Sequence, residues 1–169
     1  MRSLVITIII FFITNCLNAQ VYLGLNTAFE LPCNNYKEVD NGIGVNLLLG
    51  YSYKQRIDFN ISAGNTWMNS LIDGYKINSV ELSTNYYIIS KAIRPYIGVS
   101  GGYYIKSIEV PFNESLLEKG IGIKPCIGLL FDLNLMKKLK VNSKFYFNKV
   151  FTDHQISLYG LNIGLLYYF

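Results

Sequence analysis

Six charged residues, Asp58, Glu81, Lys124, Asp132, Lys140 and Lys144, share the parity of glycine, serine and asparagine in segments whose other parity is apolar. Carboxylates and ammonium groups gathered on one such face would form either a network of hydrogen bonds and ion pairs or a gated path for ions or protons. Stranded buried charges are costly, so each of the six needs a partner. A second candidate is Asp153-His154-Gln155-Ile156-Ser157, which holds the single histidine. Catalysis there requires a nucleophile within hydrogen-bond reach of His154. The composition of a polar loop accounts for the stretch equally well, and no catalytic residue is assigned. One histidine and separated cysteines make no metal site of recognisable spacing. Gly101-Gly102 and Gly42-Ile43-Gly44 lie inside alternating segments and not before a helix, so no phosphate cradle and no cofactor are expected. Glycines at such places let strands curve or give inward aromatics room.

The elements that position these residues are strands. Apolar and polar residues alternate with period two in eight successive segments, and beyond residue 20 no apolar run reaches the length of a membrane-spanning helix. Gly42 to Lys54 shows the pattern best: Ile43, Val45, Leu47, Leu49, Tyr51 and Tyr53 share one face, opposite Gly44, Asn46, Gly50 and Ser52. Connections at Gln55-Arg56, Lys91 to Arg94 and Asn134 to Lys137 are short. Those at Glu30 to Asn41, Asn69 to Tyr75, Ser107 to Gly120 and Asp153 to Ser157 are mostly longer and more polar. The longest are candidate binding loops, and the Pro111 to Lys119 stretch is expected to form a short helical turn or to extend its hairpin. Long loops at one rim and tight turns at the other predict an all-β, eight-stranded antiparallel up-and-down transmembrane barrel. Both chain ends then fall on the tight-turn rim. With eight strands the lumen is just wide enough for side chains to fill it. Tyr22, Tyr51, Tyr53, Tyr103, Tyr159 and Tyr167 sit near segment ends, where an interfacial aromatic girdle is expected. A soluble lipocalin-like barrel is the alternative fold, with the apolar face turned inward.

The chain begins Met1-Arg2-Ser3, continues as an apolar run from Leu4 to Ile13, and passes through Thr14-Asn15-Cys16-Leu17-Asn18-Ala19 to Gln20. That order predicts a secretory signal peptide over residues 1–19 and one domain over residues 20–169. Asn15 stands where a lipobox needs a small residue, so Cys16 is assigned to the discarded segment. Cys33 and Cys126 are expected to stay unpaired. The formal charge is +4 without a basic block, which points away from nucleic acid. The unusual quantities are 14 Tyr, 10 Phe and 14 Gly beside few charges. A soluble domain does not scatter so many aromatics along every segment with polar residues between.

The terminal Tyr159-Gly160-Leu161-Asn162-Ile163-Gly164-Leu165-Leu166-Tyr167-Tyr168-Phe169 resembles the closing strand of outer-membrane barrels, and Pro95-Tyr96-Ile97-Gly98-Val99-Ser100-Gly101-Gly102-Tyr103-Tyr104 resembles a strand common among them. Over residues 20–169 the chain resembles the small OmpA/OmpX-like barrels of Gram-negative bacteria. The resemblance implies an outer-membrane location, membrane lipid as a partner, and Tyr167 and Phe169 as the signal that the barrel-insertion machinery reads. It specifies fold and place far better than activity. The expected function is a non-enzymatic barrel that serves envelope integrity or binds a surface ligand through its loops. A narrow channel is the alternative, and a lipid-modifying enzyme is third. Enzymes of that last kind carry an amphipathic helix before the first strand, and here Gln20-Val21 runs straight into it.

Overall fold

The structure, a computed structural model, describes residues 19–33, 39–70, 75–89, 91–108, 116–133 and 138–169. Eight strands follow one another: β1 Ala19–Pro32, β2 Val39–Tyr53, β3 Ile57–Ser70, β4 Tyr75–Tyr87, β5 Ile93–Ile108, β6 Leu116–Asp132, β7 Leu139–Phe151 and β8 Ile156–Tyr168. Each pairs antiparallel with its sequence neighbours, and β1 closes on β8 from Tyr22↔Tyr168 to Pro32↔Leu158. Residues 1–18, where the signal peptide is expected, lie outside the described residues.

Alternation sorts the side chains as the sequence predicts. The outward face carries Leu25, Ile43, Leu47, Leu82, Ile121 and Ile127 at 55–67% exposure. A soluble protein does not leave so continuous an apolar surface in water, and the lipocalin-like alternative has the faces reversed. The inward face carries Asn26, Ser52, Thr66, Ser100, Asn142 and Asn162, all buried.

Several expectations at strand ends need correction. Arg94, assigned to a short turn, lies inside β5 and points into the lumen, 7% exposed. The connections expected over Glu30 to Asn41 and Ser107 to Gly120 are shorter, because β1 runs on to Pro32, β5 runs to Ile108 and β6 starts at Leu116. The pairings Ile108↔Leu116 to Ile105↔Lys119 extend the hairpin over the last four residues of the Pro111 to Lys119 stretch, and residues 111–115 lie outside the described residues. Polar composition hid those extensions, since the backbone keeps pairing wherever a partner strand is present. Tyr22 is not part of a girdle: it is 1% exposed inside the barrel and stacks on Tyr168 at 4.9 Å.

At the β2–β3 connection Lys54 and Gln55 both take positive φ, 49° and 57°. With Arg56 N–H donating to the Tyr53 carbonyl at 3.0 Å, this is the mirror-image turn whose twist suits a two-residue hairpin. Inside, glycine makes room for rings. Tyr22 is paired with Gly50 and Tyr146 with Gly160, and in each pair the tyrosine ring occupies the space that a side chain at the glycine would take. A methyl group added at Gly160 would strike the Tyr146 ring, whereas one at Gly101 would meet only the Gly122 carbonyl oxygen at 3.8 Å. Gly160→Ala is therefore expected to lower stability by about 1–3 kcal/mol and Gly101→Ala to leave it within about 0.5 kcal/mol. Urea unfolding of the chain refolded into lipid vesicles, followed by emission of the single tryptophan Trp67, measures both.

Candidate functional site: the lumen and its two mouths

The rim at which β2 connects to β3, β4 to β5 and β6 to β7 is the turn rim, and the opposite one is the loop rim. The six charged residues singled out in the sequence all enter the lumen, but in separate groups. Glu81, Lys124 and Lys144 surround a mid-lumen cavity of about 10 Å³. Lys124 Nζ lies 2.5 Å from Glu81 Oε1, which also accepts from Tyr104 Oη at 3.1 Å. Lys124 stands 4.7 Å from the centre of the Tyr146 ring and Lys144 5.8 Å from it, placing both cations within reach of one aromatic ring. Tyr146 Oη in turn donates to Glu30 Oε1 at 2.5 Å.

Asp132 and Lys140 form a different cluster at the turn rim. Asp132 Oδ2 accepts from Arg94 Nη2 at 2.7 Å, while Lys140 Nζ lies 3.2 Å from Oδ1 and 4.2 Å from the centre of the Tyr168 ring. Asp58 accepts from Tyr87 Oη at 2.6 Å and lies within electrostatic reach of Lys140 in this cluster. Arg94, Asp132, Lys138, Lys140, Tyr168 and Phe169 line a vestibule of about 500 Å³ that opens on this rim.

The third cluster lies at the loop rim. Lys106 Nζ donates to Glu118 Oε2 at 2.6 Å, to the His154 carbonyl at 2.8 Å and to Thr152 Oγ1 at 3.2 Å. His154 Nδ1 lies 2.5 Å from Glu118 Oε1; a carboxylate only accepts, so the ring nitrogen donates. The nearby hydroxyl, Thr152 Oγ1, donates to the His154 carbonyl and not to its ring. Below this clamp, Met68, Tyr75, Ile77, Val150, Ile156 and Leu158 meet as a buried apolar layer across the lumen.

Four of these charges, Glu30, Arg94, Lys106 and Glu118, were missed by the sequence reading. Each has the inward parity of its strand (Glu30 follows Tyr22, Asn26 and Ala28), so carrying the alternation one or two steps past the apparent strand end would have found them. Cys33 is exposed, Cys126 is buried, and both are free thiols. Among the described residues no three histidine, cysteine, aspartate or glutamate side chains gather as metal ligands.

No protein-family model matches the chain, and no curated protein matches it in sequence. Solved structures do match. Neisserial surface protein A aligns with a TM-score of 0.75 at 14% identity, over 89% of this chain and 99% of that one. The fold is that of the small outer-membrane barrels. Ail, the attachment invasion locus protein of Yersinia pestis, aligns at 0.60 with 15% identity over 89% of this chain and 97% of its own. A major outer membrane protein of Thermus thermophilus aligns at 0.61 with 11% identity over 89% and 99%. At such identities the likeness concerns the barrel and its topology.

The Lys124–Glu81 pair is buried on both sides, so removing one partner strands the other. Lys124→Met is expected to destabilise the refolded barrel by about 3–5 kcal/mol, and adding Glu81→Gln to restore more than about 1 kcal/mol of that loss. Urea titrations of the two single variants and the double variant give the coupling.

Proposed function

We propose that this chain is an integral protein of the bacterial outer membrane, exported by a signal peptide over residues 1–19. It spans the membrane as a non-enzymatic, side-chain-filled barrel over residues 20–169. The loop rim faces the exterior, and the turn rim with both chain ends faces the periplasm. Outer-membrane lipid surrounds the outward belt, and Tyr167 and Phe169 are what the barrel-insertion machinery reads. Those two rings point outward and meet edge to face at 5.3 Å, with Phe169 N–H donating to the Val21 carbonyl at 3.0 Å, next to the seam where β1 meets β8.

The observation that carries this reading is the joint state of the two faces. An apolar belt without and a lumen blocked within leave the loops as the part able to meet a partner. The apolar layer of Met68, Tyr75, Ile77, Val150, Ile156 and Leu158 excludes a continuous water column, and a mid-lumen cavity of about 10 Å³ holds at most one water. The turn-rim vestibule therefore ends blind, which speaks against a narrow channel.

Envelope integrity or surface binding through the loops is the role such a barrel serves. Attachment is in the name of Ail, which has also been crystallised with the heparin analogue sucrose octasulfate. A polyanion suits the loops of the present chain poorly. Its connecting segments 33–38, 71–74, 109–115 and 152–155 contain Glu38, Asp73, Glu109, Glu114 and Asp153 against Lys37. A basic or uncharged surface ligand fits that balance.

Planar-bilayer recording tests the blocked lumen. The refolded wild type is expected to give no steady unitary currents, and Ile156→Ala with Leu158→Ala to raise the leak by thinning the apolar layer. Regular unitary steps from the wild type would replace this reading with that of a channel.

A further inference from the structure

The ionic residues outside the lumen are divided between the two ends of the barrel. The turn-rim segments 54–56, 88–92 and 133–138 contain Lys54, Arg56, Lys91, Lys137 and Lys138 and no acidic residue. Lys137 lies outside the described residues; Lys54, Arg56, Lys91 and Lys138 are exposed. This is the reverse of the acidic balance in the loop segments.

The turn-rim cations sit at the edge of the apolar belt. Lys54 Nζ stands 5.2 Å from the centre of the Tyr53 ring and Lys138 Nζ 6.0 Å from that of Tyr167, both rings on the outward face. Ile88, Ile89, Leu133 and Phe169 are exposed beside them at 60%, 44%, 37% and 67%. Lysine stems against interfacial aromatics, with aliphatic groups alongside, bring ammonium groups to the level of lipid phosphates. Each turn is also tied to the end of the neighbouring strand. Tyr87 N–H donates to the Arg56 carbonyl at 2.8 Å, Asp132 N–H to the Ala92 carbonyl at 2.9 Å, and Tyr168 N–H to the Lys138 carbonyl at 2.8 Å. The cations thus form a collar on a rigid frame. Two further cations, Arg94 and Lys140, share the Asp132 carboxylate at the mouth.

We propose that this collar is a binding surface for the phosphate headgroups of anionic phospholipids in the leaflet that the turn rim meets. The lipid, and not a soluble anion, is the occupant, because the cations ring the end of the belt where headgroups lie and are accompanied by exposed apolar side chains. The inference rests on the chain being a membrane barrel but not on which way round it sits.

The test uses the full chain refolded into mixed phosphatidylcholine and phosphatidylglycerol vesicles. It is then extracted in mild detergent, and the lipid it retains is quantified by mass spectrometry. The variants are Lys54→Gln/Arg56→Gln/Lys138→Gln and, as a loop-rim control, Lys119→Gln/Lys149→Gln. Wild type and control are expected to retain phosphatidylglycerol in preference to phosphatidylcholine, and the triple variant to lose that preference by about tenfold. Equal retention of the two lipids by the wild type overturns the proposal, as does an unchanged preference in the triple variant. So does loss of the wild-type preference when inorganic phosphate replaces chloride at equal ionic strength, which would mark a soluble-anion site. Co-sedimentation with purified peptidoglycan that depends on the three cations, without a lipid preference, assigns the collar to the wall polymer instead. A heat-dependent shift on a gel is measured first for each protein. Its absence in the wild type would mean that the barrel reading itself has failed, an outcome distinct from any of the lipid results.

Discussion

The hydrogen-bonded seam between β1 and β8 is what the rest of the molecule depends on. Hydrocarbon offers no partner to a backbone N–H or C=O, so a sheet in that setting must leave no edge, and closure removes the edge. Closing at eight strands sets the radius, and at that radius side chains are able to fill the lumen. From that follow the other features of the interior. Large rings such as Tyr22 and Tyr146 fit only where the facing residue has no side chain, hence Gly50 and Gly160 at those pairs. Charged groups fit only where their partners reach them across the barrel, hence contacts such as Tyr146 to Glu30, which join β7 to β1 past the intervening β8.

Charge is matched level by level in that interior. Lys124 and Lys144 stand with Glu81 and Glu30, Arg94 and Lys140 with Asp132 and Asp58, and Lys106 with Glu118 beside His154. Buried ion pairs of this kind are rarely stronger than the apolar packing they replace, so net stability does not explain them. Register does. A slip of one residue would turn every inward side chain outward, and Lys124 and Lys144 would then face hydrocarbon at about 2–4 kcal/mol each near the midplane. An all-apolar interior would tolerate the slip far better. The lumenal charges therefore act as a penalty on wrong pairings, which matters most in strands whose two faces are both rich in tyrosine and small residues.

This also accounts for what was legible in the chain and what was not. Faces could be assigned because the side-chain period of a strand is two, so once Ile43 was placed outward, Gly44 and Asn46 had to be inward. The count and order of strands followed from the spacing of polar connections. Strand ends were harder: Glu118 sits in a stretch that reads as loop, and only its pairing opposite Lys106 makes it β. Partnerships were not legible at all, because strand tilt and stagger decide which inward residues share a level. Asp58, Asp132 and Lys140 look alike by parity, yet Asp132 pairs with Lys140 and Arg94 while Asp58 pairs with Tyr87. Tyr22 was misassigned because tyrosine suits both an interface and a wet core, and parity, not position near a strand end, decides between them.

The two ends of the barrel differ for reasons that the interior does not dictate. Since lumenal charges balance within each level, the chain's formal +4 must lie elsewhere, and the connecting segments place the excess at the turn rim while leaving the loops acidic. At physiological ionic strength the field of exposed charges fades within about 8 Å, whereas the apolar belt of such a barrel is about 25 Å tall. Neither end therefore feels the other, and the asymmetry does nothing for folding of the strands between them. It acts only on what each rim meets. The loop mouth, where the Lys106–Glu118–His154 cluster lies above an apolar layer, carries acidic connections. The turn mouth stays open as a vestibule with cations around it, so the same barrel offers opposite electrostatic faces to its two surroundings.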